Sequence, residues 1–376
     1  MSDRSLGDLL KAGHEGLCPD LIERLPVPWR LRGSPAADYD LTDQALVAAV
    51  QTALLLGQPL ILAGEPGVGK TSLARALEHR LGLFLHDAVQ VKSVTTGLDL
   101  FYTFDEVARF RDAGRPRDQK AGDGRQAPKG LRDYVRFSSL GRAILWSAGP
   151  DAEVATGSVP SEEIVGIPGI ATLRLGDLFP LEFRRYEACD DGSFRHRSLD
   201  SPVRSMVLLD ELDKAPRDAP NDVLGELEAM SFRIGELDIE IRAQAPTWPI
   251  ILITSNSERS LPDAFLRRCV FHWIDFPSAN RLQKIVAARC VKDYGLRMED
   301  PLVVSATRVF IDLRDKVENK KPATAELISF LVSLIEFGFA RTDVIDASDE
   351  RVAKLFGTMM KTQVDLDAAT GKPAAR

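Results

Sequence analysis

The run from Gly64 to Thr71 reads GEPGVGKT and follows the short apolar stretch PLILA. This pairing constrains the chain tightly, because strand–GxxxxGK[ST]–helix needs a buried strand, a sharp turn and a helix in immediate succession. Gly64, Gly67 and Gly69 free the backbone to turn its N–H groups onto an anion, with Glu65, Pro66 and Val68 completing the loop. Lys70 offers a mobile ammonium to the β- and γ-phosphates of a nucleoside triphosphate, and the Thr71 hydroxyl suits Mg²⁺. Ser72 is the last candidate nucleotide contact of this loop. Leu73, Leu77 and Leu81 then recur at helical spacing, which predicts a helix whose positive end faces the phosphates.

A chain of 376 residues exceeds what one compact core accommodates and predicts two domains. Its formal net charge of −7 gives no general attraction to nucleic acid or to an anionic membrane. Cys18, Cys189, Cys269 and Cys290 have no paired spacing, which predicts reduced thiols in a cytoplasmic protein. Cys269 and Cys290 sit in apolar segments and read as core. The N-terminal MSDRSLGDLL lacks a signal-peptide core, and no apolar run reaches the ~18 residues of a membrane span. His14, His79, His86, His196 and His272 are scattered without metal-ligand spacing, so Mg²⁺ is the only metal expected.

A second segment, VLLDELDKA, runs from Val207 to Ala215. Its apolar start predicts a buried parallel strand over Met206 to Leu209, with carboxylates where the strand leaves the sheet. Asp210 would hold the hydration shell of Mg²⁺, and Glu211 would accept the proton of an attacking water. The plain alternative is a solvated acidic turn. A third strand, IILITSN, ends at Asn256, whose amide could orient that water against the γ-phosphate or simply favour a turn. LPDAFLRRC follows, and its Arg267 and Arg268 either reach a neighbouring subunit's nucleotide or cap a helix C-terminus.

Between Lys70 and Asp210 the chain is far longer than one helix and one strand require, so insertions are expected near 105–135 and 150–200. Asp112 to Gly130 reads as a mobile loop, and the second insertion as a β-hairpin. Arg109 to Arg136 carries nine Lys/Arg and four Asp. That basic excess is read as a solvated or protein-facing surface, with no nucleic-acid partner expected. From Pro277 onward, three stretches with apolar residues at three- and four-residue spacing predict a helical bundle, followed by a last helix near Glu350 to Met360. Tyr39 and Leu41, in the segment ahead of the first strand, are candidates to cover an adenine ring.

In this order, GEPGVGKT, VLLDELDKA, NDVLGELEAM, ITSN and LPDAFLRRC resemble the MoxR-type AAA+ ATPases over roughly Tyr39 to Gly338. The resemblance implies an α/β fold, a P-loop NTPase αβα core with a C-terminal α-helical lid. Taken with composition at the two ends, it divides the chain into an N-terminal extension (1–40), the AAA+ core (41–276), the lid (277–365) and a flexible tail (366–376), the tail read from its small polar residues. It implies a homo-oligomeric ring, commonly hexameric, that hydrolyses ATP to ADP and phosphate with Mg²⁺ between subunits. It further implies a partner carrying a von Willebrand factor A domain and a chaperone-like role in remodelling or maturing client proteins. Arg268 falls where the family's arginine finger lies, with Arg267 the adjacent alternative. Many AAA+ proteins place a sensor 2 arginine at the start of a lid helix. Here the stretch reads ENKKPATAELISFLVSL, so Lys321, or Lys320 beside it, must serve. A lysine supplies charge there but no planar fork. The rival reading is a slow ATP-operated binding switch that times partner release. A sigma-factor activator fits worse, since no GAFTGA-like loop is present, and a P-loop kinase would leave Asn256 and Arg268 without a role.

Overall fold

The computed structural model describes Tyr39 and residues 43–113, 129–154, 159–165, 173–188, 194–317 and 320–370. Leu41, Cys18, Cys189 and most of the predicted 112–130 loop lie outside the described residues. The chain divides into two compact units: residues 40–64 with 70–274, and residues 1–39, 65–69 and 275–376.

The first of these units is built on a parallel sheet. Its strands are β1 (Leu60–Ala63), β2 (Phe84–Leu85), β3 (Val89–Gln90), β4 (Ser205–Asp210), β5 (Ile250–Ser255) and β6 (Val270–Trp273). They lie in the order β6-β1-β5-β4-β2, with β3 also pairing β4, and every pairing is parallel. The chain is therefore α/β with a parallel central sheet. All four residues of β1 are buried, and Met206 to Leu209 of β4 are buried too. Such uninterrupted apolar strands are what a sheet covered on both faces requires, each large side chain contributing about 1.5–3 kcal/mol.

Helix α1 (Gln44–Leu56) starts on Asp43, whose carboxylate accepts the N–H groups of Ala45 and Leu46, and stops at Gly57 in the left-handed region. Helix α2 (Lys70–Leu81) follows the glycine-rich loop and buries Leu73, Ala74, Ala76 and Leu77. The long interval before β4 is filled by added elements. These include an antiparallel pair, Tyr102–Phe104 with Val135–Phe137, and a hairpin, Arg184–Ala188 with Phe194–Ser198. The hairpin lies in the 150–200 insertion, as its β-forming residues predict. Helix α3 (Ser139–Ala148) lies between these pairs and is almost wholly buried, with Trp146 Nε1 donating to the Glu182 carbonyl at 2.7 Å. Burial raises the Cys269 thiol to about 12, which leaves it an unreactive neighbour of the core.

The other unit is helical. Helices α4 (Ala279–Tyr294), α5 (Pro301–Lys316) and α6 (Thr324–Glu336) close around Leu282, Phe310, Leu313, Phe330, Leu331 and Phe356. Pro301 occupies the first turn of α5, where its missing N–H costs nothing. The small polar residues of 366–376 predict a flexible tail, but residues 366–370 belong to a helix, Gln363–Thr370. Thr362 starts that helix by accepting the Asp365 N–H at 3.1 Å, and Leu366 packs on the helical core. Local composition misses this because the anchoring contacts come from elsewhere in the bundle. Among the described residues, no helix is long and apolar enough to cross a membrane.

Gly141 gives a direct test of the packing. A Cβ there would lie 2.0 Å from the Phe101 carbonyl oxygen, which already accepts the Ser138 N–H at 2.9 Å. In an open helix Gly→Ala gains about 1 kcal/mol, whereas here the clash should reverse the sign and cost about 1–3 kcal/mol. The expected result for Gly141→Ala is a melting temperature several degrees lower. An unchanged or higher value would contradict this packing of α3.

Candidate functional site

Strand register brings the sequence motifs together. Ala63, the last residue of β1, is level with Ser255 of β5, and Leu209 of β4 is level with Ile253. One step further along, Gly64 and Asn256 leave their strands side by side, and Asp210 comes level with Thr254. Parallel alignment thus gathers the polar ends of three apolar strands at one edge of the sheet.

The side chains there form one connected chain. Lys70, only 7% exposed at the start of α2, donates to the Gly64 carbonyl at 2.6 Å and to Asn256 Oδ1 at 2.8 Å. The amide of Asn256 then donates from Nδ2 to Glu211 Oε1 at 2.8 Å. The other oxygen of Glu211 is ion-paired with Lys214. That hydrogen bond to Glu211 holds the Lys214 ammonium above the usual lysine range.

Asp210 is gripped separately. Its Oδ1 accepts from Thr254 Oγ1 at 2.6 Å and from the Thr71 hydroxyl at 3.4 Å, and its Oδ2 accepts from Gln90 at 3.0 Å. The Thr254 hydroxyl also accepts the Glu211 N–H at 2.8 Å. Glu211 adopts φ 59°, ψ 50°, a left-handed conformation that is costly for a residue with a side chain. Thr254 therefore holds both carboxylate residues, one by its side chain and one by its backbone. Asp213, almost fully buried, accepts the N–H groups of Asn256 and Glu258 at 3.1 and 3.0 Å and fixes the exit of β5.

Thr71 and Asp210 offer only oxygen donors, within hydrogen-bonding distance of each other. That suits Mg²⁺, a hard cation that takes one or two protein oxygens and completes its shell with phosphate and water. Among the described residues, no group of three or more His, Cys, Asp or Glu is placed as a self-sufficient metal cage. Ser72 is half-buried in the first turn of α2 and Thr71 is exposed.

Residues 65–69 pack within the unit that contains 275–376. Gly67 and Gly69 have φ 79° and 99°, which a side chain would strain. A Cβ on Gly67 would fall 2.4 Å from the Ala323 Cβ, and one on Gly69 would fall 3.3 Å from the Tyr39 ring. Tyr39 thus lies against Gly69 of the glycine-rich loop. Val68 is buried, Pro66 is exposed, and Glu65 is ion-paired with Arg314. Lys320 and Lys321 are both exposed. Among the described residues of that stretch, Ala323 packs on the loop at Gly67, with the Thr324 backbone beside it.

Arg267 and Arg268 are exposed at the end of the helix Asp263–Leu266. Arg268 donates to the Ala264 carbonyl at 3.0 Å and is ion-paired with Glu228, so within one chain it serves the helix end.

Thr254, Asp213, Lys214 and Gln90 were not singled out by sequence reasoning. Threonine inside an apolar strand reads as an ordinary β-former, and only the register of β4 against β5 reveals its role. Replacing Thr254 by Val keeps the shape but leaves the Glu211 N–H and the Asp210 carboxylate short of a partner. Thr254→Val is expected to cost about 1–3 kcal/mol by urea denaturation, with Thr254→Ser close to wild type. Equal stability of all three would mean that the hydroxyl is not the clamp described. A scan of protein-family models and a search of curated proteins both find no match to this chain.

Proposed function

We propose that this chain is a MoxR-type AAA+ ATPase that hydrolyses ATP in a homo-oligomeric ring to remodel or mature client proteins. One observation carries the reading. Lys70, Asn256 and Glu211, from three separate motifs, form one hydrogen-bonded chain at the ends of β1, β5 and β4, with Asp210 held beside it by Thr254. The parallel order of the sheet and the helical unit formed by 275–376 are compatible with the fold that the motifs imply.

In this reading Lys70 exchanges its bonds to Gly64 and Asn256 for the β- and γ-phosphates. Thr71 and Asp210 would hold Mg²⁺, which supplies charge neutralisation on the phosphate oxygens when bound. Glu211 takes the proton of the attacking water as its oxygen bonds to the γ-phosphorus and ADP leaves. Asn256, released by Lys70, turns its amide to orient that water. Arg268 of a neighbouring copy, or Arg267, neutralises the charge that develops on the phosphoryl group, after giving up Glu228. The expected setting is cytoplasmic, the expected assembly a hexameric ring, and the expected partner a protein with a von Willebrand factor A domain. These three elements rest on the resemblance of the motifs.

A second reading has its own support. Glu211 is engaged by Lys214 on one oxygen and Asn256 on the other, so its carboxylate is occupied before any substrate arrives. A site held this way suits a slow switch that binds ATP and times partner release.

Steady-state ATP hydrolysis per protomer, measured over a hundredfold range of protein concentration, separates the two. Glu211→Gln serves as the blank and is expected to bind ATP without turnover. A rate that climbs with concentration supports the ring motor, and a rate equal to the blank favours the switch. If Glu211→Gln hydrolyses normally, the assigned base is wrong. Arg268→Ala is expected to be inactive alone and partly restored by mixing with Lys70→Ala, because each variant then supplies what the other lacks. No restoration at any ratio would place Arg268 outside the neighbouring site.

A further inference from the structure

The phosphate-binding loop contains a carboxylate, Glu65, which is an electrostatic problem for a loop that must receive a polyanion. The structure offers a resolution within the unit that groups residues 65–69 with 275–376. Arg314, in the last turn of α5, is 7% exposed and ion-paired through Nη2 with Glu65. Its Nη1 donates to the carbonyl of Pro322, and its guanidinium carbon lies 3.6 Å from the centre of the Phe276 ring. The cation is therefore anchored by a carbonyl and an aromatic face independently of Glu65. Glu65 is the looser member of the pair, its side chain 43% exposed.

Among the described residues beside Glu65, Arg314 is a buried cation paired with it. The residue following Pro322 is Ala323, whose Cβ packs on Gly67 and brings no charge to the loop. Lys320 and Lys321, the lysines expected to supply a cation at this place, are exposed. A guanidinium stays charged at any physiological pH and cannot be discharged to relieve its burial.

We propose that Arg314 is the built-in counter-ion of the phosphate loop, neutralising Glu65 so that the loop can hold nucleotide phosphates. Arg314 acts through Glu65 and is a positioning residue, not a catalytic one. The inference rests on the reading of Gly64–Thr71 as a nucleotide-binding loop. It also makes phosphate affinity depend on the placement of α5.

The test is calorimetric binding of ATP, ADP and adenosine to the full chain, using wild type, Arg314→Met, Glu65→Gln and the double variant. Arg314→Met should weaken ATP about tenfold or more, ADP less, and adenosine not at all, because Glu65 without the guanidinium repels in proportion to charge. Adding Glu65→Gln should restore ATP affinity to within about threefold of wild type, since neither charge then remains. Equal losses for ATP and adenosine, or a double variant as weak as Arg314→Met, would overturn the proposal. If Arg314→Met does not fold, Glu65→Gln alone decides: it should tighten ATP by leaving Arg314 uncompensated, and unchanged or weaker binding counts against the idea. Wild type that binds no ATP would overturn the nucleotide reading and this inference together. Wild type that binds ATP without a charge-graded loss in the variants would overturn this inference alone.

Discussion

The alignment of β1, β4 and β5 is the constraint on which the site depends. Three strands of unrelated sequence end level with one another, Ala63 beside Ser255 and Leu209 beside Ile253. A shift of one residue between β4 and β5 would turn Thr254 away from Asp210, and one between β1 and β5 would separate Asn256 from Lys70, because side chains alternate faces along a strand. Register here is held by burial on both faces. Leu60, Ile61, Leu208, Leu209, Leu252 and Ile253 all have almost no exposure, so slippage would expose or overpack several at once. The hydrophobic core thereby sets polar distances of 2.6–2.8 Å.

The polar edge then behaves as a set of coupled charges. Lys70 and Glu211 are both satisfied, and Asn256 sits between them as donor to one and acceptor from the other. An amide is suited to that place because it carries an acceptor and a donor on one planar group. Drawing Lys70 towards an anion frees the Asn256 oxygen, and the change reaches Glu211 through a single rotatable side chain. Lys214 holds the far oxygen of Glu211. In the proposed reading, phosphates enter a site whose charges are already balanced, and binding rearranges partners as well as filling space.

Much of this was legible in the chain itself. The glycine positions imposed a turn, and Lys70 and Thr71 followed from phosphate chemistry. The apolar runs at 60–63, 206–209 and 250–255 have the length and β-branched content of buried strands, and strands they are. Asp210, Glu211 and Asn256 were legible because each polar residue sits directly after an apolar run. Thr254 and Gln90 were hidden, since their partners lie far away in sequence. Arg314 was hidden for a second reason. It sits in a helix whose spacing explains an arginine equally well as a solvated end, and only its packing on Phe276 and pairing with Glu65 distinguish it.

What this sequence determined by itself is local: where the backbone must turn, which runs must be buried, and which side chains can meet phosphates or a hard cation. These follow from glycine's conformational freedom, from apolar periodicity and from the chemistry of short motifs, all properties of neighbours along the chain. Tertiary structure decided which distant residues share one edge and which charges are paired. It joined Asn256 to Lys70 across 186 positions and Arg314 to Glu65 across 249. It set Ala323 on the loop while leaving Lys320 and Lys321 exposed. The physical reason is that an ion pair or side-chain hydrogen bond depends on distance in space, and that distance is fixed by strand register and helix packing.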